Sequence, residues 1–185
     1  MASARTSITT GKLARMAIMT AIAVAFSFIP SFPIIPVVSF IRYEFSDLPI
    51  LISLFAFGTP WGLGIAVISI FINFLIGGAE SGPYGMIMHM LAIGAYVLAA
   101  GLIYRSNKSR KSAIIGMLVG VIAMTAIMIP ANLIITPLFM KVPVAAVEDL
   151  LIPGIIPVNL IKGLITAVLT FIVYKRVSGF LHNHK

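Results

Sequence analysis

Asn159 and Lys162 stand three residues apart in an otherwise apolar run, Gly154-Ile155-Ile156-Pro157-Val158-Asn159-Leu160-Ile161-Lys162-Gly163. At helical pitch that spacing puts both side chains on one face. A charged side chain in a bilayer core costs on the order of 3 kcal/mol or more on insertion scales, so this lysine needs a reason. One reason is structural: the ammonium snorkels to the nearer interface or bonds a carbonyl. The other, which we prefer, is a polar site inside a helix bundle that holds a solute. Asn132 belongs with the pair, because it lies at similar depth in the preceding apolar segment and the two segments flank one connection. An asparagine both donates and accepts, so two of them suit an amide–imide edge of a ligand. A lysine only donates, which suits a carbonyl or hydroxyl oxygen.

Two more polar residues sit in apolar segments, Asn73 and His89. For these the preferred reading is hydrogen bonding between helices, worth about 0.6–2 kcal/mol. The first segment carries a different signal. Ala14, Ala17, Ala21 and Ala25 recur at three and four residues, a small-residue stripe that lets another helix approach closely. Such a stripe serves a partner or internal packing equally well.

The elements that position these residues are membrane helices. Of 185 residues, 60% are hydrophobic and only 10% charged, too little charge for the surface of a soluble domain. We expect a single membrane domain over residues 1–185. Cysteine is absent, which excludes disulfides and thiolate metal sites. The net charge of +8 does not point to nucleic acid, because most basic residues lie at the ends of apolar segments, where they set orientation. Arg5, Lys12 and Arg15 before an apolar run, with Ala23-Val24-Ala25 after it, resemble a signal peptide. More membrane segments follow, so this run reads as an uncleaved first helix.

Six segments can be drawn: 12–29, 46–57, 61–76, 84–104, 112–139 and 153–174. Pro33 and Pro36 make 30–43 irregular. The second segment is short for a span, with Ser46 as its expected N-cap and Pro49 in its first turn. Pro130 is expected to interrupt the fifth. With the N-terminus cytoplasmic and six crossings, the cytoplasmic side receives Arg5, Lys12, Arg15, Arg105, Lys108, Arg110, Lys111, Lys175, Arg176 and Lys185. The outer side receives Arg42, Lys141 and every acid: Glu44, Asp47, Glu80, Glu148 and Asp149. That bias fixes both termini in the cytoplasm. A re-entrant second segment would put the basic 105–111 loop outside and is disfavoured.

Several chemistries are missing. No G-x-x-x-x-G-K-[ST] loop is present, no acid lies deep in a membrane segment, and no His/Glu cluster has metal-ligand spacing. No internal repeat of the kind common in secondary transporters is visible. We therefore expect no catalytic residue, no metal, no cofactor and no enzyme activity. A solute site without an energy source belongs to a facilitator or to one subunit of a larger machine.

At Glu44-Phe45-Ser46-Asp47-Leu48-Pro49, Gly82-Pro83-Tyr84-Gly85, Asn132 and above all the 154–163 run, the chain resembles the riboflavin-specific substrate-binding (S) components of energy-coupling factor (ECF) transporters. The similarity spans almost the whole chain. It implies an all-α bundle of six transmembrane helices in a prokaryotic plasma membrane. It implies a riboflavin site open to the outside and roofed by the first loop, with Asn132, Asn159 and Lys162 as substrate-binding residues. First-loop residues such as Phe40 and Ile41 align loosely. The implied partners are a transmembrane coupling subunit, met through Ala17, Ala21 and Ala25, and two ATPase subunits. The S component itself would tip over in the membrane when ATP is used. The alternative left by the residues alone is a stand-alone facilitator for flavin or another small solute.

Overall fold

Glycine and proline set where this chain turns, and the apolar runs between them are helical. The computed structural model describes residues 10–77 and 81–182. In chain order come α1 (Thr10–Ser27), a loop, α2 (Asp47–Phe57), α3 (Thr59–Leu75), α4 (Gly82–Ser106), α5 (Arg110–Met140), a short α6 (Val144–Glu148) and α7 (Ile156–His182). A π-helical turn, Leu151–Ile155, leads into α7. The loop after α1 holds β1 (Phe32–Pro33) antiparallel to β2 (Arg42–Tyr43), pairing Phe32 with Tyr43 and Pro33 with Arg42. Among the described residues, four helical stretches are long and apolar enough to cross a membrane: Thr10–Ser27, Gly82–Ser106, Arg110–Met140 and Val144–Tyr174.

The shortest of the main helices is the centre of the bundle. α2 has 11 residues, roughly 16 Å at 1.5 Å per residue, about half a hydrocarbon core. It is apolar all round, as a helix enclosed by others should be, and its residues from Asp47 to Phe55 are buried. It packs against α1, α3, α4 and α7. Gly58 alone separates it from α3, at φ 101°, a left-handed conformation that glycine adopts without a Cβ clash.

α4 and α5 approach backbone to backbone. A methyl group on Gly116 would lie 2.8 Å from the Ala100 carbonyl oxygen, and one on Gly120 would lie 2.2 Å from the Tyr96 ring. These glycines are one helical turn apart, the small-residue geometry that drives close helix contact in lipid. Tyr96 is buried and donates across to the Gly163 carbonyl of α7 at 3.4 Å.

Several expectations are corrected. α5 is not interrupted at Pro130; it runs continuously through Pro130 and Pro137, as membrane helices can when neighbours satisfy the freed backbone groups. Ser46 has helical backbone angles and makes no capping bond. α3 and α4 each begin two residues earlier than expected, with prolines in their first turns, where the missing N–H costs nothing. The connection between α5 and α7 carries the unforeseen α6, closed off from α5 by Lys141 in the left-handed region. Arg5, Glu80 and Lys185, used in the charge count, lie outside the described residues.

Candidate functional site

A cavity opens where the 28–46 loop covers the bundle. Its empty volume is about 1140 Å³, open mouth included. Its walls are largely apolar: Phe40, Ile41 and Phe45 from the loop side, Met86 and Met88 from α4, Ile135 and Phe139 from α5. The loop is held down by a buried cluster in which Val38 packs with Val147, Ile155 and Val158. Gly154 permits this contact, since a methyl group there would sit 2.5 Å from Val38. Phe32, Tyr43 and Phe45 stack against one another, with ring centroids 5.1–6.2 Å apart.

The polar side of the cavity is a chain of charges crossing four parts of the fold. Lys162 of α7 lines the cavity, and its Nζ lies 3.7 Å from Asp47 Oδ2 at the start of α2. The other Asp47 oxygen, Oδ1, is 2.7 Å from His89 Nε2 on α4. His89 Nδ1 lies 2.9 Å from Glu44 Oε2 in the loop. The ring is hydrogen-bonded to Asp47 through Nε2 and lies in ion-pair contact with Glu44 through Nδ1, and two flanking carboxylates favour its imidazolium form. Two acids thus face two cations. Burial alone would raise the Glu44 carboxyl, but the neighbouring His89 outweighs it and holds the group at about 2. The carboxylates sit on opposite sides of the ring, and among the described residues no His/Cys/Asp/Glu group is arranged to hold a metal ion.

Asn159 also lines the cavity; it is buried, and its Nδ2 donates to the Ile155 carbonyl at 2.7 Å. Asn132 is fully buried but does not line the cavity. Its Nδ2 donates to the Met128 carbonyl at 2.7 Å, and its Oδ1 accepts from Thr136 at 2.9 Å. Thr136 does face the cavity. The structure therefore brings Asn159 and Lys162 together at one surface and sets Asn132 one layer behind.

Sequence reasoning missed Glu44 and Asp47, and it read His89 only as a link between helices. His89 does link α4 to α2, and it also lines the cavity, as does Asn73. Asp47, counted among the acids of the outer side, is 3% exposed and enclosed within the bundle. A usable signal was present. A buried cation without a counter-charge is strongly unfavourable, and the chain has only five acids from which to supply one.

A second concavity lies on the flank of the molecule, between α1 and α3. Leu13, Met16, Ala17, Thr20, Ala21, Val24, Ala25 and Phe28 line it from the α1 side, with Ile68 and Ile72 opposite. Its one polar group, the Thr20 hydroxyl, donates to the Met16 carbonyl at 3.0 Å. Ala14, Ala17, Ala21 and Ala25 are exposed, whereas α1 buries Met16, Met19 and Ala23. The stripe thus lies beside the helix's packed face.

Comparison with known proteins bears on this architecture. The chain is similar to the riboflavin transporter RibU of Staphylococcus aureus, 31% identical over 176 residues that cover 92% of each protein. It is 29% identical to the RibU of Streptococcus thermophilus, over 93% of this chain and 85% of that one. It is also 24% identical to the riboflavin transporter FmnP of Bacillus subtilis, over 84% and 86%. A solved S component of a bacterial ECF transporter superposes with a TM-score of 0.80 at 30% identity, covering 92% of this chain and 97% of that structure. Residues 11–174 match the family described as the substrate-specific component of ECF transporters. This multi-pass membrane protein belongs to that family, whose members are transporter subunits rather than enzymes.

Proposed function

We propose that this subunit captures riboflavin at the loop-covered cavity and delivers it to a transporter powered by partner proteins. The observation that carries the reading is the cavity's division of chemistry. Riboflavin is a flat apolar ring system with a polar pyrimidine edge and a polyhydroxyl tail. Aromatic and aliphatic walls suit the rings, while Asn159 and Lys162 offer fixed polar groups on one surface. Asn132 acts through Thr136, which it holds toward the cavity. The similar proteins named riboflavin transporters support the same ligand. The subunit needs no cofactor of its own.

The partners in this reading are a transmembrane coupling subunit and two ATPase subunits, in a prokaryotic plasma membrane. The coupling subunit docks along Ala17, Ala21 and Ala25, whose small side chains let a helix of the partner come close. Both termini are cytoplasmic and the cavity opens outward. Support comes from Lys12, Arg105, Lys108, Arg110 and Lys111, at helix ends remote from the cavity.

Purified protein should carry a yellow flavin spectrum or take one up on titration; a protein that stays colourless and does not quench added riboflavin removes the reading. Reconstituted alone in liposomes it should bind riboflavin without net uptake. Uptake by the chain alone would make it a stand-alone facilitator. Cysteines at Ser109 and Ala146 should react with an impermeant thiol reagent from opposite faces of the membrane, and reaction of both from one face would refute the orientation.

A further inference from the structure

The charges around the cavity bear on which flavins it accepts. Three cations line it, Arg42, His89 and Lys162, and each already meets an oxygen of the protein. Arg42 Nη2 donates to the Ser31 carbonyl. His89 lies between Glu44 and Asp47, and Lys162 lies beside Asp47. Of the two acids, Asp47 is enclosed behind the surface, but Glu44 stands on the cavity lining, and its side chain is 32% exposed. An anion that approached Lys162 or His89 would have to displace a carboxylate or lie beside one. A neutral hydroxyl meets no such opposition, and Glu44 can accept a hydrogen bond from it.

Resting on the riboflavin reading, we propose that Glu44 is a specificity residue that makes the site prefer a flavin with a free polyhydroxyl tail over its 5′-phosphate ester, with His89 as the counter-charge that moderates this preference. A phosphate monoester carries about −1.5 to −2 charges at pH 7. An ionised carboxylate several ångströms from such a group, in surroundings of effective dielectric near 20, by itself opposes it by an amount worth about tenfold or more in affinity, and the positive charges of His89 and Arg42 act in the opposite sense. The pairing with His89 keeps Glu44 ionised, so the opposition persists at neutral pH. His89 supplies a compensating positive charge at the same place, which makes the two residues act with opposite sign on an anionic ligand.

The test measures dissociation constants of purified full-length protein for riboflavin and for flavin mononucleotide, by quenching of flavin fluorescence, and takes their ratio. The parent should favour riboflavin over the ester. Glu44→Gln keeps the shape and removes the negative charge, so the ratio should fall about tenfold, whatever happens to riboflavin affinity itself. His89→Gln removes the positive charge, so the ratio should rise. A purely structural role for either residue would weaken both ligands together, and exclusion of the ester by size would favour riboflavin equally in parent and variants; either would leave the ratio unmoved by the substitutions. Equal binding of the two flavins by the parent overturns the proposal, as does a ratio unchanged in Glu44→Gln or one that shifts the same way in both variants. Failure of the parent to bind riboflavin at all would instead strike the functional reading beneath it.

Discussion

The cavity under the first loop and the groove between α1 and α3 are both concave, but they are assembled from opposite materials. The cavity gathers Glu44, His89, Asn159 and Lys162 from the loop, α4 and α7, with Asp47 of α2 behind them. The groove draws almost entirely on one helix and one further face, and its only polar group is satisfied within its own turn. In the cavity, fixed polar groups supply orientation to a small solute. In the groove, nothing supplies direction except shape, which is what helix association in lipid requires. In the proposed reading, capture and docking therefore rest on separate parts of the molecule. Changes in the first should alter affinity and stability, and changes in the second should alter neither.

The sharpest break is expected at Asp47. Asp47→Ala removes the carboxylate beside Lys162 and one of the two that flank His89, at 3.7 and 2.7 Å. Removing one member of a buried ion pair typically costs about 3–5 kcal/mol. Heating of purified protein, followed by loss of its monodisperse peak, should show a large drop in stability, and ligand binding should fall with it. A variant as stable as the parent would mean that the charge chain does not hold the bundle together.

Lys162→Ala should act chiefly on the ligand. Losing a hydrogen bond from a charged donor costs roughly 1.5–3 kcal/mol, or about 10- to 150-fold in riboflavin affinity. Calorimetric titration reads it directly, and unchanged affinity in folded protein would remove Lys162 from the site.

The two asparagines then divide the cavity surface from the layer behind it. Asn159→Ala should weaken riboflavin binding by about 0.5–1.5 kcal/mol, the net value of an ordinary hydrogen bond. Asn132→Ala should cost less affinity, because its amide is engaged by Met128 and Thr136 and does not reach the cavity. Equal losses would show that Asn132 turns to meet the ligand directly.

How much of this was legible depended on whether a residue advertised itself locally. Lys162 and Asn159 did, because their neighbours in α7 are apolar and a polar pair there breaks the pattern. Asp47 did not. An acid in the first turn of a helix is ordinary, and only the three-dimensional meeting of α2 with α7 makes it the counter-charge of a lysine far along the chain. The sequence marks α2 as a helix too short for a bilayer, but its surroundings are the interior of a bundle, where that length suffices. Its uniform apolarity was the better guide. The fold of the loop was out of reach for a similar reason: the two-residue pairing of β1 with β2 has too little periodicity to signal itself.

The smallest effect on binding should come from the groove, and it is the most informative. Ala17→Trp and Ala21→Trp place bulk on an exposed stripe of α1, whereas the buried face of that helix is formed by Met16, Met19 and Ala23. No core contact has to give way, so riboflavin affinity and thermal stability should change by no more than about 0.5 kcal/mol, as for ordinary surface substitutions. Uptake by cells that carry the whole transporter should nevertheless fall at least about tenfold, because a tryptophan holds a partner helix away from the contact that small residues permit. Affinity and uptake must be measured on the same variants. If affinity and stability fall together with uptake, the stripe packs the bundle and overpacking explains the loss. Uptake at the parental level would take α1 out of the docking step, and the groove would then differ from the cavity only in being apolar.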